Sequence, residues 1–218
     1  MPDFSILTNN IDMYLEGFKY TVMSSVIALI GSFILGVILA VMRITPIRIL
    51  NWIGSAFVEF VRNIPLVLIA FIFYFALPVI GITLNGFVAG TVTLTVYTAS
   101  FIAEVIRAGI LSVAKGQMEA ARSSGLTYTQ AMYHVVLPQA MKIVIPPLGN
   151  QFLNLVKNSS ILGIIAGMDL MYQGDLISTK TFVTFDVYIF VGMFYLILTI
   201  PLSMLVRYLE KRLAKEAV

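Results

Sequence analysis

Apolar residues in this chain fall in long, nearly unbroken runs, and five of the runs are long enough to cross a bilayer. They are "YTVMSSVIALIGSFILGVILAVM" at 20–42, "IPLVLIAFIFYFALPVI" at 64–80, "FVAGTVTLTVYTASFIAEVIRAGI" at 87–110, "VIPPLGNQFLNLVKNSSILGIIAG" at 144–167 and "VYIFVGMFYLILTIPLSMLV" at 187–206. A helix needs about 20 apolar residues to span hydrocarbon. Within lipid, a span must also satisfy its own backbone hydrogen bonds. The pattern therefore predicts an all-α polytopic membrane protein with five transmembrane helices. An amphipathic stretch at 51–61 leads into the second run. Pro65 stands at that junction, where a residue without an amide hydrogen suits a helix start or a break.

Charge orients the spans. With the N-terminus outside, the cytoplasmic segments hold Arg43, Arg48, Arg107, Lys115, Arg122, Lys142, Arg207, Lys211, Arg212 and Lys215, against Lys19 and Lys180 on the outer side. Basic residues favour the cytoplasmic face, so the expected topology is N-outside, C-inside. The outer segments collect Asp3, Asp12, Glu16, Asp169, Asp175 and Asp186. Acids ahead of Lys19 lack the positive head of a cleavable signal, so the first run is expected to stay as a span. An odd number of spans cannot form two equal inverted halves, and the symmetry of a transport path would come from a second chain. Residues 1–218 read as one transmembrane domain.

Composition narrows the chemistry. The 218 residues are 59% hydrophobic and 11% charged, where a soluble domain carries about a quarter charged. There is no cysteine, and His134 is the one histidine. Disulfides, thiolate catalysis and a histidine- or cysteine-based metal site are excluded. No metal or cofactor is expected on this chain, and a net charge of +3 gives no reason to expect a nucleic acid partner. The phosphate-binding sequence G-x-x-x-x-G-K-[ST] is absent, so any ATP would be bound, with its magnesium, by another chain.

Between the third and fourth spans, about 112–143, the chain turns polar. "EAARSSGLTYTQAMYHVVLP", 119–138, reads as helix, glycine, helix, proline. Gly125 is placed to end the first helix in the left-handed region. Thr127 and Gln130 have capping-box spacing, and Pro138 is expected to close the second helix. An ordinary helical hairpin beneath the bundle fits the same pattern.

The spacing carries more. Glu119-Ala120-Ala121, three residues, Gly125, nine residues, Val135, one residue and Leu137-Pro138 resemble the EAA loop of ABC importer permeases, with Val135 where isoleucine is usual. "FVRNIPLVLIAFIFYFALP", "TASFIAEVIRAGILSVAKGQMEAA", "LPQAMKIVIPPLGNQFLNLVKNSS" and "YLEKRL" are similar to the polar-amino-acid branch of that family, over about residues 15–213. The resemblance implies that Glu119, Ala120, Ala121, Gly125, Leu137 and Pro138 belong to a coupling element seated in a cytoplasmic ATPase subunit. It also implies two such ATP-binding subunits, a second permease chain (identical or similar), an extracytoplasmic amino-acid-binding protein, surrounding membrane lipid and a place in the bacterial cytoplasmic membrane. The chain itself would catalyse nothing. The alternative is a channel-like or scaffolding membrane subunit without ATP dependence.

Polar side chains inside the spans are the candidates for a substrate path, because such groups usually face a cavity or a partner helix. Thr93, Tyr97, Ser100 and Glu104 share a face of the third span, and Asn150, Asn154, Lys157 and Asn158 share one of the fourth, with Ser159 adjacent. Serine and asparagine also fit plain interhelical hydrogen bonds. Glu104 and Lys157 are candidates for mutual neutralisation. Asn63 fits a cavity position or a helix cap, and Arg62 a place at the cytoplasmic edge. Gly86/Gly90 and Gly163/Gly167 fit close helix contacts. Asp169, Asp175 and Asp186 are candidate docking points for the binding protein. Relatives often carry K-D-T-S where this chain has Lys157-Asn158-Ser159-Ser160. Asn158 removes a negative charge, which favours glutamine, glutamate or a similar amino acid over a basic one.

Overall fold

A computed structural model describes residues 3–215, and all the regular structure among them is helical. A short α1 (Phe4–Asn9) precedes α2 (Ile11–Ile44), α3 (Arg48–Asn63) and α4 (Leu66–Phe71). The chain continues through α5 (Gly86–Ser112), α6 (Lys115–Ser123), α7 (Tyr128–Ala131) and α8 (Leu137–Asn158), and ends in α9 (Leu170–Thr181) and α10 (Phe185–Lys215). Among the described residues α2, α5 and α10 are each long and apolar enough to cross a membrane, and counting α3 with the segment 66–80 as one bent span makes four. The expected fourth span, α8, falls outside that group because Lys142, Asn150, Gln151, Asn154, Lys157 and Asn158 interrupt its apolar run.

Close contacts set the register. On α2, Gly31 faces Thr95 and Gly36 faces Ala99 and Ile102 of α5, so the two helices run parallel. Gly109 of α5 faces Val144 of α8 and Gly90 faces Leu162, so α5 and the α8 segment run antiparallel. Gly149 of α8 faces Val206, which places α10 beside α8. Small side chains make these approaches possible. Ser24, Ala28, Ser32, Gly36 and Ala40 recur every fourth residue on α2 and are all buried. In lipid, helix association depends on such close packing, since apolar surface gains little by leaving one hydrocarbon phase for another. The Gly86/Gly90 pair behaves as its spacing predicts: added methyl groups there would lie 2.0 Å from the Ile165 carbonyl oxygen and 2.4 Å from the Leu162 side chain.

Prolines shape two of the runs. Between α3 and α4 the axis turns by 107°. Ile64 and Pro65 are extended there, with ψ of 135° and 138°. Pro78 and Pro138 act differently. Each follows a wide π turn, at Ile72–Ala76 and Met132–Val136. A wider turn makes room for the ring and for the carbonyl left without an amide partner. Pro138 consequently does not close the second insert helix. It lies in the first turn of α8, and helical backbone runs on from Tyr128 to Asn158.

Other boundaries depart from the hydropathy reading. The helix of the first run, α2, starts at Ile11, because polar residues before 20 continue the helix beyond the apolar window. The fourth run does not stay α-helical to 167: α8 ends at Asn158, a 3-10 helix covers Ser159–Ile165, and Ala166 ends it in the left-handed region. A further helix that hydropathy did not indicate, α9, follows and packs its Leu170 and Ile177 with Tyr14, Val187 and Phe190.

Candidate functional site

Three groups of residues carry the candidate chemistry: the polar insert, the junction of α2, α3 and α5, and the polar face of α8.

In the insert, α6 ends as the glycine predicted. Gly125 has φ +91°. Its amide donates to the Arg122 carbonyl at 3.0 Å, and the Leu126 amide donates to the Ala121 carbonyl at 3.3 Å. These are the paired bonds of a Schellman termination. The guanidinium of Arg122 adds a bond to the Leu126 carbonyl at 2.9 Å. Two residues on, the capping box forms. The Gln130 amide donates to Thr127 Oγ1 at 3.2 Å, and the Thr127 amide donates to Gln130 Oε1 at 2.9 Å. Gln139 of α8 donates to Gln117 of α6 at 3.2 Å and closes the hairpin. Ala121 is buried in this joint, while Glu119 and Ala120 are exposed on α6. Leu137 is half-buried and Pro138 exposed. The insert is thus a twice-capped corner joined without a break to α8, and it offers a short helix with the small side chains of Ala120 and Ser123 outward.

Glu104 finds its partners elsewhere than expected. Its carboxylate accepts from Arg43 Nη1 at 2.5 Å and from Arg107 through Nη2 at 2.7 Å and Nε at 3.1 Å. Arg62 Nη1 lies 3.9 Å away, and Arg43 also reaches Glu59 at 3.2 Å. The Arg43 side chain is 6% exposed. Its backbone carbonyl accepts from Asn51, and the Arg62 guanidinium sits 5.3 Å from the centre of the Phe101 ring. Three guanidinium groups and two carboxylates therefore lock α3 across one end of α2 and α5. Lys157 forms no ion pair among the described residues and does not neutralise Glu104. The Gly109–Val144 contact sets Glu104 near the level of Leu148, and Lys157 lies nine residues farther along α8, about 14 Å at the helical rise. Arg43 and Arg107 carried only topological weight in the sequence, and Glu59 none. The spacing of Glu104 and Arg107 on one helix face was the available signal.

The remaining path candidates divide by exposure. Thr93 and Ser100 are buried, and their hydroxyls donate to carbonyls of their own helix, Ala89 and Tyr97, at 2.7 Å each. Ser159 is buried and donates to the Val156 carbonyl at 2.8 Å. Tyr97 is half-buried against Phe101, with ring centres 5.0 Å apart. Asn63 ends α3 and donates to the Glu59 carbonyl at 2.7 Å, so it closes a helix end and does not cap a helix start. Asn150, Asn154 and Lys157 are exposed and Asn158 is half-buried, on one face of α8. Lys157 lines a groove of about 360 Å³ toward α10 with Thr199, Ser203 and Arg207. Among the described residues no ion pair joins the polar stripe of α5 to that of α8, and the hydroxyls of Thr93 and Ser100 bond within α5.

On the link from α8 to α10, the acids serve the fold. Asp169 is fully buried at the N-terminus of α9, where its carboxylate accepts from the Met171 and Tyr172 amides at 3.1 Å each. Burial pushes its carboxyl up to about 7, against those amide bonds, which pull it down. Asp175 accepts from the Tyr188 hydroxyl, and Asp186 accepts from the Asp3 amide at 3.1 Å. Asp169 has no surface to offer a docking partner, and Asp175 and Asp186 already hold neighbouring elements.

Comparison with known proteins places these features. The family described as "Binding-protein-dependent transport system inner membrane component" matches residues 13–215. The chain is 70% identical over 211 residues to the probable glutamine ABC transporter permease protein GlnM of Bacillus subtilis (strain 168), covering 97% of this chain and 98% of the relative. It is 33% identical over 213 residues to the glutamine transport system permease protein GlnP of Escherichia coli (strain K12), covering 97% of each. Its fold matches that of a chain in the crystal structure of an amino acid ABC transporter with histidines, at a TM-score of 0.91, 32% identity and coverage of 97% and 99%. An inward-facing conformation of the MetNI methionine ABC transporter matches at a TM-score of 0.65 and 25% identity, over 91% and 95% of the two chains.

Proposed function

The chain belongs to the family of inner-membrane components of binding-protein-dependent transport systems, and from that premise we propose that it is the permease subunit of an ATP-driven importer of glutamine or a closely similar polar amino acid. It forms half of the path, and a second permease chain completes it. The parallel course of α2 and α5 and the antiparallel course of α5 and α8 support five crossings, because α3 and α4 must then return the chain between α2 and α5, and the excess of basic residues in the segments assigned to the inside supports an N-terminus outside. An extracytoplasmic binding protein delivers the substrate. Two cytoplasmic subunits bind ATP and magnesium and hydrolyse the nucleotide.

The observation that carries this reading is the insert. Glu119 and Ala120 stand exposed on a short helix whose far end is fixed by the Gly125 termination and whose partner helix runs on into α8. A rigid corner of this kind transmits the movement of a docked subunit to a membrane helix as a rigid body. Within the path, the exposed face of α8 presents Asn150, Asn154 and Lys157 and no acid. An amino acid that carries a carboxylate and an uncharged side chain suits that face better than a basic one. Asn158 supports the same preference. Asn63, Tyr97, Ser100, Glu104 and Ser159 act on the path through the helix ends and packing they hold.

The test is ATP hydrolysis by the reconstituted complex, with its binding protein, against a panel of amino acids. Stimulation by glutamine above arginine, lysine and histidine is expected. Stimulation by basic amino acids alone would overturn the substrate assignment. A purified chain with no ATP-binding subunit attached would favour the channel-like alternative.

A further inference from the structure

A second hollow lies on the side of α8 away from its polar face. It has a volume of about 410 Å³ and opens between α2 and α8. Its floor includes Ala40, Ala140 and Val144, all buried, and its rim includes Val41 and Met141, both exposed. At about 100° per residue, Val144 and Leu148 point away from Asn150, Asn154 and Lys157. If the polar face looks into the path, this hollow looks into lipid. Ile44, Ile110 and Met132 at its inner end are shared with a further hollow of about 350 Å³ beneath the insert. The character changes there: Arg43, Lys115 and Tyr128 join the lining, and among the described residues no acid lines either space.

The pair forms one shaft, apolar along the bundle and cationic at the insert. Arg43 at the cationic end is more than nine-tenths buried, and its Nε has no hydrogen-bond partner. The junction around it holds three guanidinium groups against two carboxylates, so one positive charge is in excess. Lys115, the first residue of α6, has no acidic partner among the described residues and adds a second charge. Basic pockets between membrane helices on the cytoplasmic side suit anionic headgroups. The surrounding bilayer supplies a molecule with an apolar chain and an anionic phosphate at its end.

We propose that an anionic phospholipid occupies this shaft, with one acyl chain between α2 and α8 and its phosphate at Lys115 and Arg43. This rests on the reading of the chain as a membrane permease with its insert on the inner face. Lys115 begins α6 and Tyr128 begins α7, so the headgroup touches both helices of the coupling corner.

Native mass spectrometry of the delipidated permease–ATPase complex, titrated with phosphatidylglycerol or phosphatidylcholine, tests this. Phosphatidylglycerol is expected to be retained in preference. Lys115→Gln should weaken its retention about fivefold, the worth of one cation beside an anionic headgroup, and leave phosphatidylcholine unchanged. Val41→Trp, at an exposed rim position, should fill the shaft and displace the lipid. Equal retention of the two lipids, or retention indifferent to both substitutions, overturns the proposal. So does a disulfide between copies carrying Val37→Cys, which would show a second chain covering the rim. Lipid retention is read without transport, so a complex that binds phosphatidylglycerol but shows no amino-acid-stimulated hydrolysis would count against the transport function alone.

Discussion

Replacing Gly125 by asparagine, alanine and valine in turn loads a single dihedral angle of the insert. At φ +91° a side chain is strained whatever the space around it, and a Cβ added there meets nothing within 4 Å. The cost is therefore conformational, without a steric part. For alanine, the left-handed region costs about 1–2 kcal/mol. Asparagine tolerates it better, and a β-branched valine is a true outlier there. The joint depends on two backbone bonds and a capping box, each worth about 1 kcal/mol. A strain of 1–2 kcal/mol lowers the population of the closed corner by a factor of about 5–30. The assay is amino-acid-stimulated ATP hydrolysis by the reconstituted complex, normalised to the amount of permease in the membrane. Stimulation should fall in the order glycine, asparagine, alanine, valine, while insertion stays constant. A valine variant as active as the parent would refute the claim that this corner transmits force.

Two further outcomes follow from the charged groups. A double-mutant cycle between Glu104→Gln and Arg43→Met, read by thermal unfolding in detergent, should show strong coupling, because removing one partner of a buried pair costs about 3–5 kcal/mol. The same cycle with Lys157→Gln should show none, and coupling there would restore the Glu104–Lys157 pair. Asp169 should make stability fall as pH rises. Its folded carboxyl lies at about 7, above the ordinary 3.8, so the unfolded chain loses its proton first and the folded state is disfavoured progressively between those values. Asp169→Asn keeps a good helix cap and should flatten the thermal stability profile from pH 4 to 7. An unchanged slope would mean that the carboxyl titrates normally.

Hydropathy and spacing made much of this protein legible. Every predicted span contains helix, and the positions of Gly125 and Thr127 in the insert follow from local backbone chemistry that needs no distant partner. What sequence missed was mostly non-local. Helix α2 begins at Ile11 because polar residues continue a helix as readily as apolar ones once it is started, and a hydropathy window stops at the apolar edge. Pro138 sits inside a helix because the π turn before it accommodates the ring, and nothing in "VVLP" announces that turn. Asp169 follows an apolar run and therefore looked like an outer surface acid. Its burial arises from α9, which packs against Tyr14 and Phe190 from opposite ends of the chain. Glu104 chose Arg43, sixty-one positions away, over Lys157 because helix register put the arginines within reach.

The central claim is that the short helix of the insert docks in an ATP-binding subunit. The chain has no cysteine, so Ala120→Cys introduces a single thiol on the exposed side of α6. Paired with cysteines along the cleft of the ATP-binding subunit in the assembled complex, it should form a disulfide under mild oxidation and reduce amino-acid-stimulated hydrolysis until a reductant restores it. Failure of Ala120→Cys to reach any position of that cleft, in a complex that still hydrolyses ATP in response to amino acid, would contradict the account.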